Sequence, residues 1–177
     1  MKAKISRAQR SDLPRILAIQ KEAYLAEAAI YHDFTLPPLR QSLEEIGLES
    51  ESKVFLKAEV DGILVGSVRV VLSDQTCLVG RLIVDPKFQR RGIGSALLSA
   101  AESVFPEAVR FELFTGSRSE ANIRLYERHG YVRFREDALT SALTLTYMQK
   151  SNSRTSGSTE PRDGASVACP QSEARGR

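Results

Sequence analysis

The chain has no tryptophan, and only two cysteines, two histidines and two methionines among 177 residues. Cys77 and Cys169 lie far apart, and neither belongs to a Cys-x-x-Cys or Cys/His group. A disulfide framework and a zinc site are therefore not expected, and the metal expectation is none. No apolar run approaches the ~20 residues needed to cross a bilayer, so no membrane partner is expected. Met1 to Arg10 is mixed polar and basic without an apolar signal core, which predicts a cytoplasmic protein. The net charge of +3 is mild, and no basic aromatic face stands out, so nucleic acid is not an expected partner. There is no internal repeat.

What remains has the length and apolar content of one ordinary soluble domain, large enough to fold on a core alone. Composition shifts near Lys150. From Ser151 to Arg177 the chain is rich in Ser, Gly, Pro, Thr and Arg and nearly free of large apolar residues. Such a segment cannot offset its ordering entropy by burial. The expected division is thus a folded domain over residues 1–150 and a disordered tail over 151–177.

Within the domain the pattern alternates between strand and helix. Ala3 to Arg10 predicts a first strand. Ser11 or Asp12 can cap a helix that carries Pro14 in its first turn and an apolar face to about Ala29. Tyr31 to Pro38 predicts a loop, and Pro38 to Leu48 a second helix. Asp61-Gly62 between Lys53–Val60 and Ile63–Leu72 is a tight hairpin signal. Thr76 to Val84 predicts a further strand, Gly92 to Val104 a helix, and Arg110 to Thr115 a strand. Ser119 opens another helix, which Gly130 ends in the left-handed conformation. Tyr131–Phe134 and Ala142–Met148 complete the strands. The order β α α β β β α β α β β predicts an α/β (α+β) fold with a sheet covered by helices on both faces.

The stretch from Val79 to Ser95 carries the chemistry. A strand ends at Val84, Asp85-Pro86 turns the chain, and Gln89-Arg-Arg-Gly-Ile-Gly94 leads straight into a helix. A helix N-terminus offers free N–H groups and a positive dipole end, which suits a diphosphate. Gly92 and Gly94 remove Cβ atoms where phosphate oxygens approach the backbone. Lys87, Arg90 and Arg91 add positive charge beside them. No Gly-Lys-Ser/Thr follows, so this is no P-loop, and the third glycine and following acid of a dinucleotide fingerprint are missing.

This stretch resembles the acetyl-coenzyme A signature of the GNAT superfamily of N-acetyltransferases. The segment Asn122-Ile-Arg-Leu-Tyr-Glu-Arg-His-Gly-Tyr131 is similar to that family's Asn…Tyr…Gly-Phe/Tyr segment, and the element order agrees from about residue 3 to 148. The resemblance implies the acyl-CoA N-acyltransferase fold, a mixed, mostly antiparallel sheet of about seven strands. It implies acetyl-CoA as cosubstrate. Gln89, Arg90, Arg91, Gly92, Ile93, Gly94 and Ser95 would bind it, with backbone amides around Arg91 to Ser95 holding the pyrophosphate. Leu82, Ile83 and Val84 would lie along the pantetheine arm as along an added strand, and amides near Leu82 would polarise the thioester carbonyl. Asn122 would help position the cosubstrate, and Tyr126 would be the general acid for the leaving thiolate.

The acceptor implied is a primary amine of a small molecule or a protein, unidentified by the sequence, and a homodimer is left open. An amine of pKa ~10.4 is neutral only about once in a thousand near pH 7.4, so a base or a desolvating pocket is needed. The strand before the signature offers Leu78, Gly80 and Arg81 and no carboxylate. Glu112 and His32 are the remaining candidates for base or acceptor contact. Arg81 needs a partner if buried. His129 is read as a positive charge at a helix C-terminus. An alternative function is a non-catalytic acyl-CoA sensor of the same fold, to which the presence of Tyr126 runs counter.

Overall fold

A computed structural model describes residues 3–153. Its elements follow the order β1 (Lys4–Arg7), α1 (Leu13–Tyr31), α2 (Pro37–Arg40), α3 (Leu43–Ser52), β2 (Val54–Val60), β3 (Ile63–Ser73), β4 (Thr76–Val84), α4 (Ile93–Ala101), β5 (Arg110–Gly116), α5 (Glu120–Arg128), β6 (Val132–Ala138) and β7 (Thr144–Ser151). One seven-stranded sheet has the order β1-β2-β3-β4-β5-β7-β6. Every neighbouring pair is antiparallel except β4 and β5. A parallel pair needs a crossover, and α4 supplies it. The sheet class and strand number expected from the sequence are thus present.

The β2–β3 hairpin forms where Asp61-Gly62 predicted it. Both residues take left-handed φ, 51° and 79°, which matches the right-handed twist of the flanking strands. Two apolar layers flank the sheet. On one face α4 and α5 bury Ile93, Leu97, Leu98, Ile123 and Tyr126 against Val68, Val70, Val79, Phe111 and Met148. On the other face α1 and α3 bury Leu13, Ile16, Ile19 and Ile46 against Phe55, Leu64 and Ile83. Among the described residues no helix is long and apolar enough to cross a membrane.

The structure differs from the sequence expectation at several boundaries. The predicted helix Pro38–Leu48 is two helices. The break falls at Ser42, whose Oγ accepts from the Glu45 N–H at 3.1 Å while the Glu45 carboxylate accepts from the Ser42 N–H at 2.6 Å. This reciprocal capping box starts a new helix rather than continuing the old one. β1 stops at Arg7, because Gln9 N–H donates to Asp12 at 2.7 Å and closes a 3-10 turn before α1. At the other end the fold runs past Lys150. β7 reaches Ser151, and the buried Asn152 side chain donates to the Ala108 carbonyl at 2.7 Å. Residues 154–177, most of the expected tail, lie outside the described residues.

One buried cation locks the α1–α3 layer to the sheet. Arg69 of β3 is 2% exposed. Its guanidinium meets Glu49 of α3 at 2.5 Å and donates to Gln20 of α1 and, at 3.3 Å, to Gln41 between α2 and α3. It also stacks on Phe55, 4.7 Å from the ring centre. Lys53 reaches Glu49 at 2.8 Å, and Gln20 donates to the Pro38 carbonyl at 2.8 Å. A buried charge is tolerable only with an opposite charge and hydrogen bonds of this kind.

Burial opposes ionisation of Glu49, but the charges and hydrogen bonds of Arg69, Lys53 and Gln41 outweigh it and hold the carboxyl below its ordinary range. A carboxyl depressed in the fold contributes stability above its unfolded pKa, and that contribution is lost as pH falls through the folded value. Glu49→Gln should therefore cost about 3 kcal/mol at pH 7. It should also flatten the loss of wild-type stability below about pH 4.5. Urea unfolding across pH checks both; parallel curves for the two proteins would exclude Glu49 as the titrating group.

Candidate active site

β4 and β5 pair through only three residues, Thr76↔Arg110, Cys77↔Phe111 and Leu78↔Glu112. Beyond Leu78 the two strands diverge, so β4 from Val79 to Val84 has no strand on its β5 side. A bulge lies in the same stretch. Between the pairs Arg69↔Gly80 and Ser67↔Ile83, Arg81 and Leu82 stand opposite Val68 alone. Arg81 takes φ 49°, the left-handed conformation that lets an extra residue leave the ladder. Its guanidinium packs over the Tyr24 ring of α1 at 5.7 Å. The partner that Arg81 needed is thus in part an aromatic face. Two parallel strands present their carboxyl ends on one side, and a gap there is where open α/β sheets take ligands.

The chain leaves β4 through a rigid turn. Asp85 is 3% exposed. It accepts from the Lys87 N–H at 3.0 Å and pairs with Arg15 of α1 at 2.6 Å. Gln89 donates back to the Val84 carbonyl at 3.2 Å. Arg90 and Gly92 both have positive φ, 59° and 79°, and Gly92 is the N-cap of α4. A Cβ built on Gly92 would meet nothing within 4 Å, so the space before this helix terminus is open. Arg90, Arg91 and Gly92 are exposed, whereas Ile93 is buried and anchors the helix. Arg91 stacks on Phe88 at 5.2 Å.

α5 is tied to β5 beyond its last pair with β4. Asn122 donates to Thr115 of β5 at 3.3 Å and to Glu27 of α1 at 3.2 Å. Ser119 does not cap the helix with its side chain; its hydroxyl donates to Glu27 instead. Tyr126, one turn after Asn122, is buried, with Tyr131 6.1 Å away between ring centres. Burial first, then Tyr24 and Glu27, raise its phenol well above the ordinary value. It therefore stays protonated at neutral pH.

α1 also closes the far end of the gap. Tyr31 is 3% exposed and its hydroxyl accepts from the Arg118 N–H at 2.7 Å. The ring lies over Gly116, the last residue of β5, where a Cβ would sit 2.2 Å from the Tyr31 oxygen. The guanidinium of Arg118 also packs over that ring, 5.6 Å from its centre.

The remaining sequence candidates are spread apart. Glu112 lies in the last β4–β5 pair, where the strands begin to part, and is held in an ion pair with Arg110 at 2.7 Å. His32 is exposed and ends α1 with φ 53°. Cys77 is fully buried in the paired part of β4. Burial, with Glu102 and Glu107 nearby, pushes its thiol up to about 12. The reading of His129 as a cation is corrected. Burial, then Lys150 and Arg128, lower its pKa against the opposing Glu102, so it is neutral near pH 7, and Gly130 at φ 87° ends the helix. Glu27 was missed by sequence reasoning. Its signal is a carboxylate on the inward stripe Gln20, Tyr24, Glu27, Tyr31, where the spacing requires a residue facing the protein.

The model of the acetyltransferase (GNAT) family matches residues 13–131. The chain belongs to that family. Among curated proteins, this GNAT chain is 28% identical over 116 residues to the UPF0157 protein YqkA of Bacillus subtilis (strain 168), covering 66% of this chain and 33% of that protein. The chain thus spans about a third of the length of the curated relative it matches. Among solved structures it is similar to a GNAT superfamily phosphinothricin acetyltransferase from Sinorhizobium meliloti in complex with acetyl-CoA. The TM-score is 0.73 at 20% identity, over 99% of this chain and 100% of that one. It is also similar to the PaiA N-acetyltransferase of Thermoplasma acidophilum in complex with coenzyme A. There the TM-score is 0.72 at 18% identity, over 85% and 99% of the two chains. These likenesses establish the fold.

The contact of Tyr31 with Gly116 leaves no room for a methyl group. Gly116→Ala should displace the tyrosine and cost about 1–3 kcal/mol, a fall in melting temperature of roughly 3–10 °C. Differential scanning calorimetry measures it; an unchanged melting temperature would mean that the ring does not close this end of the gap.

Proposed function

We propose that this GNAT domain transfers the acetyl group of acetyl-CoA directly to a primary amine. The observation that carries the reading is the parting of β4 and β5 after three pairs, with the N-terminus of α4 following β4 and Asn122 of α5 bonded to β5 beyond the last pair. The residues fit the cosubstrate. The β5-facing edge of β4 at Leu82, Ile83 and Val84 is unpaired and can hydrogen-bond an amide-bearing arm as a strand would. The segment Gln89, Arg90, Arg91, Gly92, Ile93, Gly94 and Ser95 offers open backbone, a helix terminus and two cations to a diphosphate.

Acetyl-CoA supplies an activated thioester acyl group. The chain does the rest. The bulge at Arg81 and Leu82 turns backbone out of the β3 ladder toward the gap, where an N–H donor stabilises developing charge on a carbonyl oxygen. Tyr126 holds a proton at its phenol oxygen for the leaving sulfur. Direct transfer, rather than transfer through an acyl-cysteine, is supported by the state of Cys77, because a buried thiol with pKa near 12 supplies no thiolate at neutral pH. The acceptor would enter on the α1 side, past His32, Tyr24 and Tyr31. A small molecule and a protein amine both remain acceptors of this proposal, and a cytoplasmic location belongs to it.

Saturating acetyl-CoA, near 100 times its dissociation constant, should stabilise the domain by about 2.7 kcal/mol. The expected melting shift is roughly 5–10 °C. Tyr126→Phe should keep that shift and lose turnover by about 10²-fold. No shift at millimolar acetyl-CoA would remove the acetyltransferase reading; full turnover in Tyr126→Phe would remove the phenol from the mechanism.

A further inference from the structure

The site as described has an acid and no base. Of the groups the sequence offers, Glu112 is engaged by the Arg110 guanidinium at 2.7 Å, and His32 ends α1 in the open. A third group lies on α1. Glu27 comes from α1, two turns after Gln20 and one before Tyr31, and turns both carboxylate oxygens onto α5. One oxygen takes the Ser119 hydroxyl, and the other takes the Asn122 amide at 3.2 Å. Asn122 is itself fixed to β5 through Thr115, and Tyr126 follows on the same face of α5 one turn later.

We propose that Glu27 is the base that receives the proton of the acceptor ammonium, at the end of the β4–β5 gap where Tyr126 waits with its own. The inference rests on the acetyltransferase reading and adds to it the residue that starts the reaction. A carboxylate offers about four acceptor positions. Ser119 and Asn122 use two, and the half-buried side chain leaves the others within reach of an acceptor. Those two bonds also fix the orientation of the carboxylate, so that its side-chain freedom is lost once, during folding. The proximity of Glu27 is felt by Tyr126, whose phenol is raised in part by it.

The proton balance closes. An ammonium N–H proton passes to Glu27 and leaves a lone pair on nitrogen. That nitrogen forms the C–N bond to the thioester carbon. The C–S bond breaks with its electron pair going to sulfur, which takes the Tyr126 proton. The second nitrogen proton returns to the Tyr126 oxygen, and Glu27 releases its proton to water. One amide, one thiol and one solvent proton result. The titratable neighbours in this corner are Tyr126 from α5 and Tyr24 from α1. Beside them stand the cations Arg81, stacked on Tyr24, and Arg118, stacked on Tyr31.

The test is Glu27→Gln, whose amide is isosteric and still hydrogen-bonds Ser119 or Asn122. Wild type and variant are assayed from pH 6.5 to 10 with a lysine-containing tripeptide, an alanine-first tripeptide and spermidine. The acetyl-CoA melting shift is measured beside them. The expected result is a turnover loss of about 10²-fold near pH 7, shrinking at pH 10 where the amine is largely neutral by itself, with the melting shift retained. Wild-type turnover in the variant overturns the inference. An equal loss at every pH, or a lost melting shift, also overturns it and makes Glu27 a clamp for α5. Should the variant melt well below wild type, Glu27→Asp, which keeps the carboxylate, must be the more active of the two; the reverse order overturns the base. A wild-type protein that acetylates none of the three amines sinks the acetyltransferase reading itself, which is a separate outcome.

Discussion

The arrangement depends on the brevity of one strand pair. Two antiparallel sheets, β1–β4 and β5–β7–β6, are joined through three residues of parallel pairing. A longer seam would satisfy the backbone of β4 with β5 and leave nothing for a ligand. A seam of zero would give two sheets that slide. Three pairs hold the halves in register while leaving the remaining β4 edge open, and an open edge is a row of unpaired donors and acceptors waiting for a strand-like guest. The bulge at Arg81 adds to the divergence by bending β4 where it leaves its partner.

The opening is useful only if its rim is fixed, and α1 does most of that. Near its middle, Gln20 is tied to Arg69 of β3; near its start, Arg15 grips Asp85 at the root of the turn before α4. Toward its end, Glu27 and Tyr31 reach α5 and β5. One helix therefore sets the position of the turn before α4, the α5 face and the end of β5 together. The polar residues on its inward stripe are costly to bury singly. Joined to partners on four other elements, they fix the rotation and the height of the helix, which an apolar stripe alone would leave loose.

The fold was legible because its signals are local. Asp61-Gly62 names its turn, Gln89 to Gly94 names a helix start, and the Asn122–Gly130 spacing names a helix with its end. The break at Ser42 was equally local, since Ser-x-x-Glu is a capping box, but Pro38, Leu39, Leu43 and Ile46 suggested a single helix and masked it. The candidate site was legible where one segment carries it, as in the loop before α4. It was not where residues distant in the chain converge. Glu27 and Ser119 are 92 positions apart, Tyr31 and Arg118 are 87 apart, and nothing in either segment alone reveals the other. Gly116 looks like an ordinary strand end until Tyr31 is placed on it.

Cys77 lies in the three-residue seam itself, paired with Phe111, and burial keeps its thiol silent. Its modification by an alkylating reagent requires the two half-sheets to part, or the chain to unfold. The labelling rate at Cys77 is then a clock for that opening, in the way amide exchange reports local unfolding. The protein thus carries, in the seam beside its candidate site, a chemical probe that is read once the label at Cys77 is separated from that at Cys169.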